Sequence, residues 1–244
     1  MLFTVHVITN GDPSRIEQTS NALKEYDLSL EIHTIPRHPT DGRLGCFLSH
    51  IQLYEYAKKN DMNWIVIAED NLITHPKSDA KHLQSVRQLH HVYEWIDKNE
   101  WEIIYLGGWV KPFIRYTKTS MPWLYGTHST HGTSFYIIHK RFYERVLETY
   151  QKHTSEHIDD FMNSIAHQPF VLVPFVGYRN PYLNTTNRYF DTPWINDLLS
   201  RFHTCYRQPP IMRLLQSCAA HATELLFLVC CLTCIYVYVL RTKS

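Results

Sequence analysis

Residues 64–73 read WIVIAEDNLI, an apolar run with β-branched members, Trp64-Ile65-Val66-Ile67-Ala68, that ends abruptly in Glu69, Asp70 and Asn71. A short continuous run of this kind predicts a strand covered on both faces, the pattern of an α/β sheet. The polar trio then falls at the carboxyl end of the strand, the edge at which open α/β sheets bind ligands.

Working outward, residues 3–9 alternate as a first strand, and Gly11-Asp12-Pro13 turns the chain into a helix with Ile16, Leu23 and Tyr26 on one side. LEIHTIP (30–36) is a second short strand. Asp41 can cap a helix that begins near Arg43, on which Leu44, Phe47, Leu48, Ile51 and Tyr54 recur at helical spacing. Gly45, Ser49 and Gln52 form a small polar stripe on the same helix, left approachable. A helical segment around 79–98 follows, then WEIIYLGG (101–108), a strand ending in paired glycines that let a ligand or backbone come close. GTSFYIIHKRFYERVLETY (132–150) is a strand-then-helix unit, IDDFMNSI (158–165) opens a short helix with acids at its amino end, and PFVLVPFV (169–176) completes the strands. The alternation of strands and helices predicts an α/β fold with a mainly parallel sheet.

Composition narrows the function. The 244 residues carry 24 basic and 23 acidic side chains, a net charge of +1, with no long basic run to neutralise phosphates, so a nucleic-acid partner is disfavoured. Cys46 and Cys205 stand alone, while Cys218, Cys230, Cys231 and Cys234 crowd the carboxyl end; this is neither a secreted disulfide framework nor a structural zinc set. The opening MLFTVHVITN suits a strand better than a signal peptide. Near the other end, residues 225–240 (LLFLVCCLTCIYVYVL) are uncharged and followed by Arg241 and Lys243. Sixteen residues at the helical rise span roughly 24 Å, so 222–240 is expected to be a transmembrane helix anchoring the protein to a membrane. Insertion after synthesis would leave the preceding domain on the cytosolic side, in keeping with unpaired cysteines; Asn184-Thr185-Thr186 would accept a glycan only on the opposite side. The expected organisation is a catalytic-like domain over 1–190, a connector over 191–221, the anchor over 222–240 and a basic tail over 241–244.

Several chemistries are missing from the sequence. Neither G-x-x-x-x-G-K-[ST] nor G-x-G-x-x-G occurs, which removes the common phosphate cradles, and without G-x-S-x-G there is no serine-hydrolase elbow. The 16 histidines include no H-E-x-x-H. What remains is two acidic clusters, Glu69-Asp70-Asn71 and Asp159-Asp160. Oxygen donors of this kind suit Mn²⁺ or Mg²⁺ bridging a diphosphate, and a carboxylate of the later pair can be the base that deprotonates an attacking hydroxyl. Spacing alone leaves the plainer reading open, since acids at strand ends and helix starts also serve solubility and capping.

The stretch GRLGCFLSHIQLYEYAKKNDMNWIVIAEDNLI (42–73) resembles the central signature of glycosyltransferase family 25, the lipooligosaccharide-type and procollagen galactosyltransferases. In that family a G-x-x-G-C-x-x-S-H helix precedes an apolar strand ending in Glu-Asp-Asp. Gly42, Gly45, Cys46, Ser49, His50, Glu69 and Asp70 match, as do Arg15 beyond the first strand, IIYLGG, GTSFYIIHKRFYERVL and IDDFM, over most of 3–180. The resemblance implies a GT-A-type nucleotide-binding domain, a nucleoside-diphosphate sugar donor, usually UDP-galactose or a related sugar, Mn²⁺ (or Mg²⁺), and transfer with inversion to a glycan, glycolipid or protein acceptor. Carried over, Gly45, Ser49, His50, Glu69 and Asp70 would bind the donor, Asp70 and Asn71 the metal, and Asp159 or Asp160 would act as base. The departure is Asn71, where the family has a second aspartate. One neutral oxygen there weakens metal attraction and keeps a catalytically inactive, sugar- or partner-binding relative as the rival reading.

Overall fold

The computed structural model describes residues 3–75, 77–109, 117–127, 130–173 and 175–180. In chain order the elements are β1 (Thr4–Thr9), α1 (Pro13–Lys24), β2 (Ser29–Thr34), α2 (Gly42–Lys59), β3 (Trp64–Glu69), β4 (Leu72–Thr74), α3 (Ala80–Ile96), β5 (Ile103–Trp109), β6 (Thr117–Lys118), β7 (Leu124–Gly126), β8 (His131–His139), α4 (Lys140–Thr149), α5 (Ile158–Ile165), β9 (Pro169–Leu172) and β10 (Gly177–Arg179). A single 3₁₀ turn, Tyr150–Lys152, joins the end of α4.

Local chemistry explains where the helices begin. The Asp12 carboxylate accepts from the Ser14 and Arg15 amides, with Pro13 in the first helical position. Asp41 accepts from Leu44 N at 3.0 Å, as its place in the sequence predicts, and Asp79 does the same for Lys81. Asp159 and Asp160 occupy the first turn of α5, where the helix dipole favours negative charge.

The strands form one sheet in the order β2-β1-β3-β8-β5-β9-β7-β6, with β4 and β10 attached beside β5. The α/β expectation holds, but the sheet is mixed, not mainly parallel. Among the described strands β1 runs parallel to β2 and β3, and β5 to β9 and β10. By contrast β8 is antiparallel to both β3 and β5, and the β6–β7, β7–β9 and β4–β10 pairs are antiparallel too. A strand buried on both faces carries the same apolar run whichever way it points, which is why the sequence pattern did not reveal the reversal.

Side chains alternate across the sheet and build two cores. Val66 and Ala68 of β3 pack with Leu23 of α1 and Leu89, Val92 and Ile96 of α3. Ile65 and Ile67 pack on the other face with Phe47, Ile51 and Tyr54 of α2, Phe142 and Val146 of α4, and Phe161 and Met162 of α5. The result is a three-layer arrangement of helices on both faces of the sheet. Gly107 permits the closest backbone approach: a Cβ there would lie 2.6 Å from the Gly177 carbonyl oxygen and 3.1 Å from Phe135 Cβ. The paired-glycine expectation is met by backbone, β10 against β5.

The expected transmembrane helix, and with it the membrane localisation, is corrected. No helix among the described residues is long and apolar enough to cross a membrane. Residues 222–240, which prompted that expectation, lie outside the described residues, as does the connector over 191–221.

Candidate active site

The reversed strand β8 builds the site. Because it runs against β3 and β5, its amino end lies beside their carboxyl ends, and successive residues there hold acids from two distant segments. Thr133 Oγ1 donates to Glu69 Oε1 at 2.9 Å, and Gly132 N donates to Asp159 Oδ2 at 2.9 Å. Gly132 has φ +88°, a conformation that glycine adopts without strain. The two acidic clusters singled out in the sequence therefore meet, but through Glu69 and Asp159.

Asp70 goes the other way. Adjacent strand residues face opposite sides, so Glu69 points toward the α2 layer and Asp70 toward α1. Asp70 is buried, accepts from Thr9 Oγ1 at 2.7 Å and pairs with the Arg15 guanidinium. Burial pushes its carboxyl up from the ordinary value, against the opposing influence of Thr9 and Arg15. Asn71, also buried, donates from Nδ2 to Glu69 Oε2 at 3.1 Å, and its main-chain carbonyl accepts from Asn180 N at 2.6 Å.

Around Glu69 the charges favour the anion. Burial alone would raise its carboxyl, but His50, Arg179 and Thr133 outweigh it and hold the pKa at about 2. His50 is wholly buried on α2: Nδ1 shares a 2.7 Å hydrogen bond with the Tyr136 hydroxyl, and Nε2 lies 3.6 Å from Glu69 Oε1. Tyr136 in turn hydrogen-bonds the Tyr54 hydroxyl at 2.7 Å, and Tyr54 donates to Met162 Sδ at 3.2 Å. A buried polar chain thus runs from Glu69 into the core, fixing the orientation of His50. The Cys46 thiol is pushed up by burial and by the charges of Glu69 and Asp159, which places both acids close to it.

Other expected donor-site residues make contacts within the fold. Ser49 Oγ donates back to the Gly45 carbonyl at 2.7 Å within α2. A Cβ on Gly45 would stand 2.9 Å from His38 Cβ, so the glycine admits the incoming chain segment. Asp160 is exposed on α5, whereas Asp159 is partly covered and turned to β8. Three site residues escaped the sequence reading. Gly132 and Thr133 open the GTSFYII stretch, which was read only as a strand and carried no assigned role, and Arg179 sits on β10, a strand too short to leave a periodic signal.

A divalent ion held by Asp70 and Asn71 needs free oxygens of the right geometry. The Asp70 oxygens are engaged by Thr9 and by Arg15, a cation already in place. Asn71 Oδ1 is buried without a hydrogen-bond partner and could serve as one neutral ligand. As placed, the Asp70–Asn71 pair does not fit Mn²⁺ or Mg²⁺.

Comparison with known proteins gives the site a context. The model of glycosyltransferase family 25 (LPS biosynthesis protein) matches residues 8–162, well over half of the chain. A Haemophilus influenzae protein whose name, glycosyltransferase, is itself a provisional assignment is 36% identical over 78 residues, covering 30% of this chain and 24% of that protein. The chain thus matches about a quarter of the length of this relative. Among solved structures, UDP-glucose pyrophosphorylase complexed with UDP-glucose shares 10% identity over 73% of this chain and 92% of its own, with a TM-score of 0.46. The glycosyltransferase GlyE of Streptococcus pneumoniae TIGR4 shares 10% over 90% and 64%, with a TM-score of 0.44. These structural likenesses are too loose to carry an assignment.

Proposed function

The chain belongs to glycosyltransferase family 25, and from that premise we propose that it transfers a hexose, galactose or a close relative, from a nucleoside-diphosphate sugar to a hydroxyl on a glycan, glycolipid or protein. The observation that carries this reading is the convergence of Glu69 and Asp159 on successive residues of β8, at a sheet edge that also holds Arg179.

The roles follow from charge and exposure. A base works best when its pKa lies near the operating pH, so Glu69, held at about 2, is suited to accept hydrogen bonds from donor hydroxyls and not to take a proton. Asp159 is partly exposed beside it and is the group we assign to deprotonate the acceptor hydroxyl. Attack by that oxygen on the anomeric carbon, from the face opposite the diphosphate, inverts configuration in one displacement. Arg179 supplies a fixed positive charge for the phosphates, a role to which a guanidinium is well fitted. The Thr133 hydroxyl and His50 keep the Glu69 carboxylate aimed, and preorganisation of this kind is where enzymes of group transfer gain most of their rate. No step is assigned to a metal ion, because Asp70 is committed to Arg15.

Asn71 and the closed Asp70–Arg15 pair favour one rival, a relative that binds the sugar nucleotide or a partner without turnover. Incubation of the full chain with a panel of UDP-sugars, read by UDP release and by calorimetry, separates the two. The enzyme reading expects turnover with at least one donor, and Asp159→Asn should retain donor affinity while slowing release roughly 100-fold or more. Asp160→Asn should stay within a few-fold of wild type. Donor binding with no turnover under any condition selects the rival.

A further inference from the structure

A second cluster of ligating side chains lies away from this site, on the α2 face of β1 and β2. His6 of β1 and Glu31 of β2 are paired residues in the sheet register, and His33 follows two positions along β2 on the same face. His6 Nδ1 lies 3.0 Å from His33 Nε2 and 3.6 Å from Glu31 Oε2, while His33 Nε2 lies 3.4 Å from Glu31 Oε1. In a tetrahedral site with bonds of about 2.05 Å, ligand atoms stand about 3.3 Å apart, and the nitrogen–nitrogen distance and the two nitrogen–carboxylate distances, which end on different Glu31 oxygens, all fall near that value. One potential ligand atom from each of the three residues lies within 4.8 Å of the other two.

We propose that His6, Glu31 and His33 bind a divalent transition-metal ion, zinc above all, with water in the fourth position. Two imidazoles and a carboxylate are a donor set suited to zinc, whereas Mg²⁺ and Ca²⁺ require oxygen ligands throughout. The surroundings agree with that assignment. Burial lowers both imidazole pKa values, the direction that favours the neutral, ligating form of the ring. The Tyr56 hydroxyl donates to Glu31 Oε1 at 2.8 Å, orienting the carboxylate as an outer-shell partner, and its ring covers both imidazoles at 5.5 and 5.0 Å. Exposure rises from 2% at His6 through 16% at His33 to 42% at Glu31, which leaves one side open to solvent for the water.

The consequence is mechanical. Among the described strands β2 lies at the edge of the sheet, and an ion gripped by one ligand on β1 and two on β2 would cross-link that edge to its neighbour. Edge strands are where sheets open first and where foreign strands add. Metal binding to the folded state alone must also stabilise it.

The test uses the full chain stripped with chelator and titrated with Zn²⁺, read by calorimetry and by Tm. The expected result is a bound ion whose addition raises Tm. His33→Gln, at a partly exposed edge position that keeps the fold, should weaken that binding roughly 100-fold or more, beyond the 10- to 100-fold effect of an outer-shell partner. Glu31→Gln should follow the same direction. Equal affinity and stoichiometry in wild type and His33→Gln, or no binding, would overturn the proposal. Co²⁺ substitution adds an independent readout, because Cys46, His50 and Glu69 also lie close enough together to share an ion. A thiolate charge-transfer band lost in Cys46→Ser but unchanged in His33→Gln would place the metal there and overturn the assignment to His6, Glu31 and His33.

Discussion

Asn71→Asp separates two accounts of the acidic strand end. If the pair beside β3 grips a divalent ion, a second carboxylate strengthens the grip and activity holds or rises. The geometry argues for the opposite. Asn71 Nδ2 donates to Glu69 Oε2 across 3.1 Å, and the substitution replaces that donor with an anion. Two unit charges at that distance repel by about 1.3 kcal/mol in water and about 5 kcal/mol at an effective dielectric constant of 20. The penalty is capped by protonation, since keeping a carboxyl of ordinary pKa 3.9 neutral at pH 7 costs about 4 kcal/mol. The expected loss of stability at pH 7 is therefore about 2–4 kcal/mol. Its sign with pH follows from linkage. The new carboxyl has a folded pKa raised above its unfolded value, so the deficit is full above the folded pKa and fades as pH falls toward 3.9. Urea denaturation of wild type and variant from pH 8 to pH 4 checks this. Equal stability at pH 7, or a variant that gains Mn²⁺ affinity together with turnover, would refute the reasoning and restore the metal account.

Other outcomes follow from contacts already described. Removing the Asp70 partner with Arg15→Ala strands a buried carboxylate and should cost about 3–5 kcal/mol in denaturant titration, with Asp70→Asn in the same background recovering part of it. Gly107→Ala forces a Cβ toward the Gly177 carbonyl and should cost about 1–3 kcal/mol, while Gly126→Ala, whose nearest neighbour would be 3.5 Å away, should stay within about 0.5 kcal/mol. The Glu69 carboxyl is depressed from 4.5 to about 2, so its contribution is complete above pH 4.5 and is lost as pH falls toward 2. Glu69→Gln should flatten the fall in the urea midpoint across that window, and an unchanged slope would contradict the depressed value.

Much of the scaffold could be read along the chain because each signal was local. The run at 64–68, the cap at Asp41 and the glycines at 107–108 each announce their structure within a few residues, and each is found where expected. The site was legible only as a set of acids. Which acids meet depends on the direction of β8, which an evenly apolar strand does not encode, and on Gly132 and Thr133, whose stretch signals a strand but not what its first two residues hold. The opposite facing of Glu69 and Asp70 was available from the two-residue period of a strand, but the motif invited both into one role. Arg179 and the β4–β10 pair arise from short segments whose pairing is decided by tertiary contacts, and no periodicity marks segments of that length.

The antiparallel course of β8 also separates two kinds of change that evolution can make. The chain enters this strand at the rim that carries Glu69 and Asp159 and leaves it at the far side, toward α4, so a change at Gly132 or Thr133 acts on the acids themselves, whereas one at Ile137 or Ile138 acts on the packing against β3 and β5.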